Sequence, residues 1–229
     1  MSISGRKVMI NPVGGLYHHK DKELDRWIFQ RDYINGVVPD TLVMDYATPL
    51  ADMLEMVGAN VYSTRNLDKF TTGIGESNQQ KWSECCSLHL KSKKLPSPVW
   101  DTGETALQKD INARVNYAEY LKVDCIVSLN FSISTEQGVE FLYNNPDAKR
   151  LAESIRDNMI RTNKKHIKEK FMREDTDETH PVVSKTQIPS VEISIFNLQN
   201  ASEGWLAGQW WAKIKVATGI FGGVYKIFE

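Results

Sequence analysis

Short apolar runs alternate along this chain with longer segments in which apolar residues recur every three or four positions. The short runs have the length and composition of buried strands, whereas the longer segments have the spacing of amphipathic helices. The strand-like runs lie at residues 7–10, 59–64, 124–130, 138–143 and 190–196. The helix-like segments lie at residues 41–57, 106–121, 147–162 and 203–218. This order predicts an α/β fold with a mostly parallel central sheet and helices on both of its faces.

Two segments depart from this alternation within what we predict to be a single domain over residues 1–229. Residues 69–102 are rich in glycine, proline and polar side chains, so we expect an inserted segment there, with one helix near residues 80–90. Residues 219–229 follow the last predicted helix and are mostly apolar. We expect them to form a strand-like C-terminal tail that docks on a sheet edge of this protein or of a partner.

Composition and charge narrow the classes of partner. The chain has 229 residues, of which 41% are hydrophobic, so it can bury a substantial core. Its formal net charge is −1, from 28 basic and 29 acidic residues, and no bulk field favours nucleic acid or an anionic membrane. No apolar run reaches the roughly 20 residues that span a bilayer. Residues 1–6 lack the apolar core of a secretory signal, and the three cysteines favour a reducing compartment, so we expect synthesis in the cytoplasm.

The end of the first apolar run is the most distinctive local feature. Residues 7–10 lead directly into Pro12, Val13, Gly14 and Gly15, a composition that predicts a buried strand ending in a tight turn. The paired glycines leave room for another group to approach the backbone closely. Val13 has no lone pair with which to bind a metal ion, so the turn has the form of a ligand site without its chemistry.

Five segments, taken in order, resemble a known enzyme family. They are a helix end, glycine and strand closing on Thr-Arg at 54–65, a helix with Arg114 at 107–118, and the strand-like segments 124–130, 138–140 and 189–191. Together they resemble the zinc-dependent N-acetylmuramoyl-L-alanine amidases, which cut the bond between muramic acid and the stem peptide of peptidoglycan. The resemblance covers nearly the whole chain and implies the same α/β fold.

The resemblance also implies where a zinc ion and a general base would lie. In that family, zinc is bound by a histidine after the first strand, a glutamate at the start of the first helix and a histidine on a later strand, while a glutamate on the last strand is the base. These positions fall here at Val13, at Asp40 or its neighbour Pro39, at Asn130 and at Ser194. Only Asp40 offers a good zinc ligand, and one carboxylate does not make a zinc site. We therefore predict no metal, no other cofactor and no catalytic residue, which makes the chain a pseudoenzyme.

An alternative keeps a metal by rearranging its ligands. His18 and His19 follow the glycine pair, and Glu192 lies two residues before Ser194, on the same face of its strand. With Asp40 they could form a displaced zinc site. We favour the simpler interpretation, in which the histidines are solvated and Glu192 is a polar strand residue.

A second cluster in the predicted insertion also invites a metal interpretation. Cys85, Cys86 and His89 lie within five residues of one another. Adjacent cysteines lack the two-residue separation that is usual in zinc-binding motifs. A structural role that involves no redox chemistry is the better interpretation.

Three functions remain open at this point. The first is a catalytically inactive protein with a structural or interaction role in a larger assembly, partly through the 219–229 tail. A cell exports its own wall amidases, so the missing signal suggests a phage protein, a virion component. The second is an active peptidoglycan amidase with a rearranged metal site. The third is a module that binds peptidoglycan without cutting it, and fold alone does not choose among them.

Overall fold

The computed structural model describes residues 2–229 apart from 21–24, 68–83, 134, 136, 165, 168 and 175–179. The strands are β1 Lys7–Pro12, β2 Leu16–Lys20, β3 Asp25–Phe29, β4 Asn60–Ser63, β5 Cys125–Ser132, β6 Val139–Tyr143, β7 Glu169–Glu174 and β8 Ser190–Asn197. The helices are α1 Pro39–Leu42, α2 Met44–Met56, α3 Cys86–Ser92, α4 Ser97–Trp100, α5 Ala106–Leu121, α6 Pro146–Thr162, α7 Pro181–Ser184, α8 Ala201–Gly208 and α9 Trp210–Phe228. None of the helices in these described residues is both long enough and apolar enough to cross a membrane.

Six strands form the central sheet, in the order β4-β1-β5-β8-β6-β7. β1 runs parallel to β4 and to β5, and β5 runs parallel to β8. β6 is antiparallel to β8 and parallel to β7. The predicted mostly parallel α/β sheet is therefore confirmed. The carboxyl ends of β1, β5 and β8 meet at one edge, which is where open α/β sheets place their ligand sites.

The sheet is covered on both faces, which explains why its central strands are continuous apolar runs. Side chains alternate across the sheet, so Val8 and Ile10 face one layer while Met9 faces the other. The larger core cluster joins the sheet to α2, α6 and α9, and the smaller one joins it to α3 and α5. Every residue of β8 is buried.

The predicted insertion belongs in part to this second layer. Cys86 and Leu90 of α3 and Val99 of α4 are buried in the smaller core cluster against Ala113 of α5. The helix expected near residues 80–90 is found at Cys86–Ser92. Residues 69–83 of the predicted insertion lie outside the described residues.

The C-terminal segment is a helix, so the strand conformation expected for residues 219–229 is wrong. α9 continues through them to Phe228 and packs closely on α6. A Cβ at Gly219 would lie 2.7 Å from Cα of Met159, and one at Gly223 would lie 2.3 Å from Cα of Ile155. The glycines are thus sites of close helix contact, four residues apart on one face, and do not end the helix.

A two-stranded hairpin that the sequence pattern did not reveal follows the glycine turn. β2 and β3 pair antiparallel, with Leu16 opposite Phe29 and His18 opposite Trp27. The backbone N–H of Gln30 donates to the carbonyl oxygen of Gly15 at 3.1 Å and closes the base of the hairpin. The hairpin therefore returns the chain, at residues 30 and 31, to the end of β1.

Candidate functional site

The four positions that the resemblance assigns to zinc and base meet at one edge of the sheet. Val13 follows β1, and its backbone N–H donates to the carbonyl oxygen of Leu129 at 2.9 Å. Asp40 lies in the first turn of α1, which begins at Pro39, a residue whose fixed φ suits the first position of a helix. Asn130 on β5 and Ser194 on β8 are paired in register. The sequence prediction of where a site would lie thus corresponds to a single place in the fold.

The side chain of Arg31 occupies the centre of this place. Its Nη2 donates to the carbonyl oxygen of Val13 at 2.8 Å, and its Nε donates to Oδ1 of Asp40 at 2.5 Å. Its Nη1 donates to Oδ1 of Asn130. One guanidinium therefore contacts all three positions at which zinc ligands were expected. The planar fork of an arginine is well suited to this, since it presents several donors in fixed directions.

The carboxylate of Asp40 is fully engaged in this arrangement. Besides Arg31, it accepts hydrogen bonds at Oδ2 from the backbone N–H groups of Gly15, at 2.8 Å, and of Gln30, at 2.9 Å. Its side chain is completely buried. Burial of an ionised carboxylate is costly unless it is paired and hydrogen-bonded, and here both conditions are met.

The glycine pair provides the room that the buried carboxylate needs. Gly14 has φ +90°, and a Cβ there would lie 2.2 Å from Oδ1 of Asp40. Gly15 has φ +135°, and a Cβ there would lie 2.7 Å from Cα of Cys85. The space predicted beside this turn exists, and it is filled by the protein's own groups.

A second buried ion pair, between Arg114 and Asp110 of α5, stabilises the glycine turn that follows β1. Nη2 of Arg114 lies 2.7 Å from Oδ2 of Asp110, one helical turn away on α5. The guanidinium also donates to the carbonyl oxygens of Pro12, at 3.0 Å, and Gly14, at 2.7 Å. It donates further to Oδ1 of Asn11 at 2.7 Å. Arg114 thus fixes the backbone on which Val13 lies.

The Asp110 carboxylate also has neutral donors. Gln30 Nε2 donates to Oδ2 at 2.7 Å, and the backbone N–H of Ser87 donates to Oδ1 at 3.1 Å. Burial acts to raise the pKa of Asp110, but the charge of Arg114 and these hydrogen bonds outweigh it and hold the pKa below its usual value. Asp110 is therefore ionised throughout the neutral range.

A third arginine, Arg65, holds the backbone of Asp40. Its Nη1 donates to the carbonyl oxygen of Asp40 at 2.6 Å, and its Nε donates to that of Glu84 at 3.1 Å. Burial lowers the pKa of Arg65 to about 10, with Asp40 opposing the shift, so the side chain stays cationic near neutrality. This arginine ends the Thr-Arg segment that contributed to the resemblance.

The carboxylate of Glu192 contacts the side chains of Asn130 and His180. Its Oε1 accepts from Nδ2 of Asn130 at 2.8 Å and lies 2.8 Å from Nδ1 of His180. The residue is only 4% exposed. A hydrogen-bonded chain therefore runs from Asp40 through Arg31 and Asn130 to Glu192 and His180.

Sequence reasoning missed Arg31, Asp110 and His180 as members of this site. Arg31 comes at the end of an unrecognised hairpin, and His180 precedes the four-residue helix α7. Asp110 had one available signal, its position four residues before Arg114 on a predicted helix, which is the spacing of an ion pair.

The alternative ligands are not brought together. The His18 ring packs edge-on against Trp27 with centroids 5.1 Å apart, and His19 packs against Tyr17 at 6.1 Å. Among the residues that the structure describes, no three His, Cys, Asp or Glu side chains are grouped so that they could hold a metal ion. Asp40 and Glu192 are instead separated by Arg31 and Asn130.

Cys85, Cys86 and His89 are all buried, and both thiols are free. Burial and, secondarily, Asp110 raise the pKa of Cys85 to about 12 and that of Cys86 well above its usual value. Burial, with Lys93 nearby, lowers the pKa of His89 to about 3, and its buried Nε2 has no hydrogen-bond partner in the described structure. These are properties of neutral, unreactive core groups.

The chain matches a known protein family over most of its length. The sequence profile of the Amidase_3 family, N-acetylmuramoyl-L-alanine amidase, matches residues 32–226. The chain belongs to this amidase family. The matched region begins one residue after Arg31, so β1, the hairpin and the central arginine precede it.

Solved amidase structures share the fold over almost their full length. AmiC2 of Nostoc punctiforme is 17% identical with a TM-score of 0.65, and 97% of each chain is covered. The catalytic domain of CwlV from Bacillus (Paenibacillus) polymyxa var. colistinus is 19% identical with a TM-score of 0.65, and covers 96% of this chain and 97% of its own. The catalytic domain of the endolysin CD27L, which targets Clostridia difficile, is 17% identical with a TM-score of 0.58, over 96% and 97% of the two chains. No curated protein sequence matches the chain.

The zinc ion of the amidase family does not fit the residues present here. Zinc is bound by thiolates, imidazoles and carboxylates, and a catalytic site provides three such ligands. Val13 offers only a carbonyl oxygen, Asn130 an amide oxygen and Asp40 a carboxylate, and all three already accept hydrogen bonds from Arg31. A cation placed among them would also meet the positive charge of the guanidinium. No catalytic step can therefore be derived through zinc in this site.

Proposed function

We propose that this chain is an amidase-family protein that does not hydrolyse peptidoglycan and has a structural or interaction role instead. One observation carries the proposal: the Arg31 guanidinium contacts the Val13 carbonyl, the Asp40 carboxylate and the Asn130 amide, where three zinc ligands were expected. A guanidinium supplies the positive charge and the directional contacts of a metal ion. It has no open coordination position at which a water molecule could be activated.

The position of the general base supports the same proposal. Ser194 stands there, and it is only 6% exposed. A serine hydroxyl does not accept a proton from water near neutral pH. Glu192 lies on the same strand face, but its Oε1 is occupied by Asn130 and His180.

Metal content and hydrolysis, measured together, test the proposal. The purified chain is analysed for zinc by mass spectrometry and then incubated with purified muropeptides, with and without added zinc, beside the CwlV catalytic domain. We expect less than stoichiometric zinc and no release of stem peptide at any zinc concentration. One bound zinc per chain together with cleavage would overturn the proposal and favour the rearranged active amidase.

Binding to intact sacculi separates the two inactive roles. A chain with a purely structural role stays in the supernatant when sacculi are pelleted. If the chain is retained on the sacculi and free muropeptides release it, its role is to recognise peptidoglycan without cleaving it.

We also propose a phage virion as the assembly in which this role is performed, an inference that rests on sequence reasoning alone. Co-migration of the protein with intact particles in a density gradient is the expected result. Recovery of the protein only from the free fraction of the lysate would contradict it.

A further inference from the structure

A cleft lies between the β2–β3 hairpin and the helices α3, α4 and α5. Tyr17 and His18 of β2 line it, together with Lys91 of α3, Trp100 of α4 and Ala106 of α5. Its volume is about 180 Å³. We call it the hairpin cleft, and it is large enough for a small molecule.

Much of the wall of the hairpin cleft is apolar and fixed in position. The indole of Trp100 is held by the hydrogen bond that its Nε1 donates to the carbonyl oxygen of Leu95 at 2.9 Å. Leu88 and the buried Cys85 also line the cleft, and the raised pKa of Cys85 keeps its thiol uncharged. Pockets that bind small molecules typically combine such apolar walls with a few polar groups.

The charges of the hairpin cleft sum to a positive value. Asp101 is the only acidic residue among the described residues that line it, and its Oδ1 lies 2.6 Å from Nζ of Lys109, which also lines it. These two charges cancel each other. The ammonium group of Lys91 therefore leaves the cleft with a net positive charge.

Two hydrogen-bond donors of the hairpin cleft have no acceptor. The Nζ of Lys91 lies 5.4 Å from the centroid of the Trp100 ring, a cation–π contact, and no ion pair of the described residues includes it. The Tyr17 hydroxyl likewise has no hydrogen-bond partner within the part of the chain that the structure describes. Burial and, secondarily, Cys85 raise the pKa of Tyr17, so the hydroxyl keeps its proton and can donate.

We propose that the hairpin cleft binds the anion of a small carboxylic acid that carries one ring or a short apolar chain. The carboxylate accepts hydrogen bonds from Nζ of Lys91 and from the Tyr17 hydroxyl, and the apolar part lies against Trp100 and Leu88. An apolar cavity of about 150 Å³ accommodates one benzene molecule, so the volume of the cleft suits a ligand with a single ring.

The charge of the cleft selects this class of ligand. Lys91 would repel a cation, and a neutral hydrocarbon would leave both donors without an acceptor. A phosphate dianion would bring two negative charges to one unpaired ammonium group. A monoanion with an apolar body matches both the charge and the walls.

The proposal goes beyond the loss of hydrolysis and does not depend on it. Neither Arg31 nor any position at which a zinc ligand was expected lines the hairpin cleft. The carboxylate has two conceivable sources, a free aromatic acid and the C-terminal residue of a peptide. Both present the same group to Lys91, and the ligands tested below distinguish them.

Titration calorimetry with phenylacetate on the full chain tests the site. We expect a dissociation constant of about 1 mM or lower, which is reasonable for a ligand of about ten non-hydrogen atoms. Phenylacetamide has nearly the same shape without the charge and should bind about tenfold more weakly. Failure of phenylacetate to bind, or equal affinities for the acid and the amide, overturns the proposal.

Substitution of Lys91 tests the donor. Lys91→Gln keeps most of the side chain and removes its charge, so it should weaken phenylacetate binding by about tenfold. Lys149→Gln is the matched control, because Lys149 is also exposed but lies on α6, on the other face of the sheet. Circular dichroism checks that both variants are folded. Equal affinities of the two variants for phenylacetate would contradict the role of Lys91.

Blocking the cleft tests its location independently of charge. Ala106 is exposed and is the first residue of α5, so Ala106→Trp should fill the cleft and abolish phenylacetate binding without unfolding the chain. Ala201→Trp is the control, since Ala201 is likewise exposed at the first position of a helix, α8, outside the cleft. Binding that survives Ala106→Trp in a folded chain places the ligand elsewhere and overturns the proposal.

A peptide distinguishes the two sources of the carboxylate. The tripeptide Gly-Gly-Phe and its C-terminal amide are titrated beside phenylacetate. Tripeptide binding at least as tight as that of phenylacetate supports the site and assigns it to a peptide C-terminus, whereas binding of phenylacetate alone supports the site and assigns it to a free acid. A peptide amide that binds as tightly as the peptide acid contradicts a carboxylate site.

Discussion

The guanidinium of Arg31 lies against the carboxylate of Asp40, with Nε 2.5 Å from Oδ1. Asp40 is the one residue of the inferred zinc set that kept a metal-binding group, and this ion pair gives it an internal counter-ion. The surrounding amidase fold is otherwise retained along the matched residues 32–226. A built-in cation where the family resemblance places a metal ion is therefore consistent with an amidase fold whose described residues group no three metal-binding side chains.

Removal of Arg31 should destabilise the fold strongly. Arg31→Ala leaves the buried Asp40 carboxylate without its counter-ion, a change that costs about 3–5 kcal/mol in comparable buried pairs. Arg31→Lys should recover only part of this, because a point charge cannot reach Val13, Asp40 and Asn130 together. Urea unfolding measures the difference. Arg150→Ala is the control, since its pair with Asp147 is exposed and contributes about 0–1 kcal/mol. Equal losses for Arg31→Ala and Arg150→Ala would refute a buried structural cation.

The glycine turn should tolerate no side chain at Gly14. Gly14→Ala combines a positive φ with a Cβ placed 2.2 Å from Oδ1 of Asp40, whereas Gly36 has φ +78° and open space around its Cβ position. Gly36→Ala should therefore cost only about 1 kcal/mol, and Gly14→Ala clearly more. The difference in the free energy of unfolding isolates the contact with Asp40. If the two variants were equally stable, the turn would not be filled as described.

The Asp110–Arg114 pair should make stability fall in acid. The folded-state pKa of Asp110 is lowered, so its contribution is fully present above the unfolded pKa, about 4, and is lost as pH falls through the lower folded value. Asp110→Asn should cost about 3 kcal/mol or more at pH 7, because it leaves Arg114 buried and unpaired. The difference in the free energy of unfolding between the variant and the wild type should narrow below about pH 4. A difference that stays constant from pH 7 to pH 3 would contradict the lowered pKa of Asp110.

His89 should make the protein more stable at pH 8 than at pH 5. Burial lowers its folded-state pKa to about 3, below the unfolded value of about 6.5, so the unfolded chain takes up the proton first as pH falls. The resulting penalty reaches about 2 kcal/mol at pH 5. His89→Leu removes both this term and a buried nitrogen without a partner, so it should stabilise the fold, and by more at pH 5 than at pH 8. A stabilisation that is equal at both pH values would show that the histidine does not titrate as inferred.

Sequence reasoning was strongest where a single physical cause dominates. β1, β5 and β8 are buried on both faces, so their apolar runs identified the sheet. The same reasoning placed Val13, Asp40, Asn130 and Ser194 at one site, because their positions follow from the family resemblance and the order of strands.

Sequence reasoning failed where the decisive contact joins residues that are distant in sequence. Arg31 reaches Asn130 across 99 residues, and only the β2–β3 hairpin brings it there. That hairpin has no strong turn signal, because it lacks the glycine-containing dipeptides that mark tight turns. The predicted helix stops at residue 218, just before Gly219, because glycine often ends helices. In the structure, the missing side chain of Gly219 instead allows α9 to contact Met159 on α6.

A crystal structure with anomalous data collected at the zinc absorption edge, from crystals grown with zinc, tests the central claim most directly. The account predicts the Arg31 guanidinium among the Val13 carbonyl, Asp40 and Asn130, with no anomalous peak between them. A zinc peak coordinated by Asp40, with Arg31 displaced from it, would contradict the account.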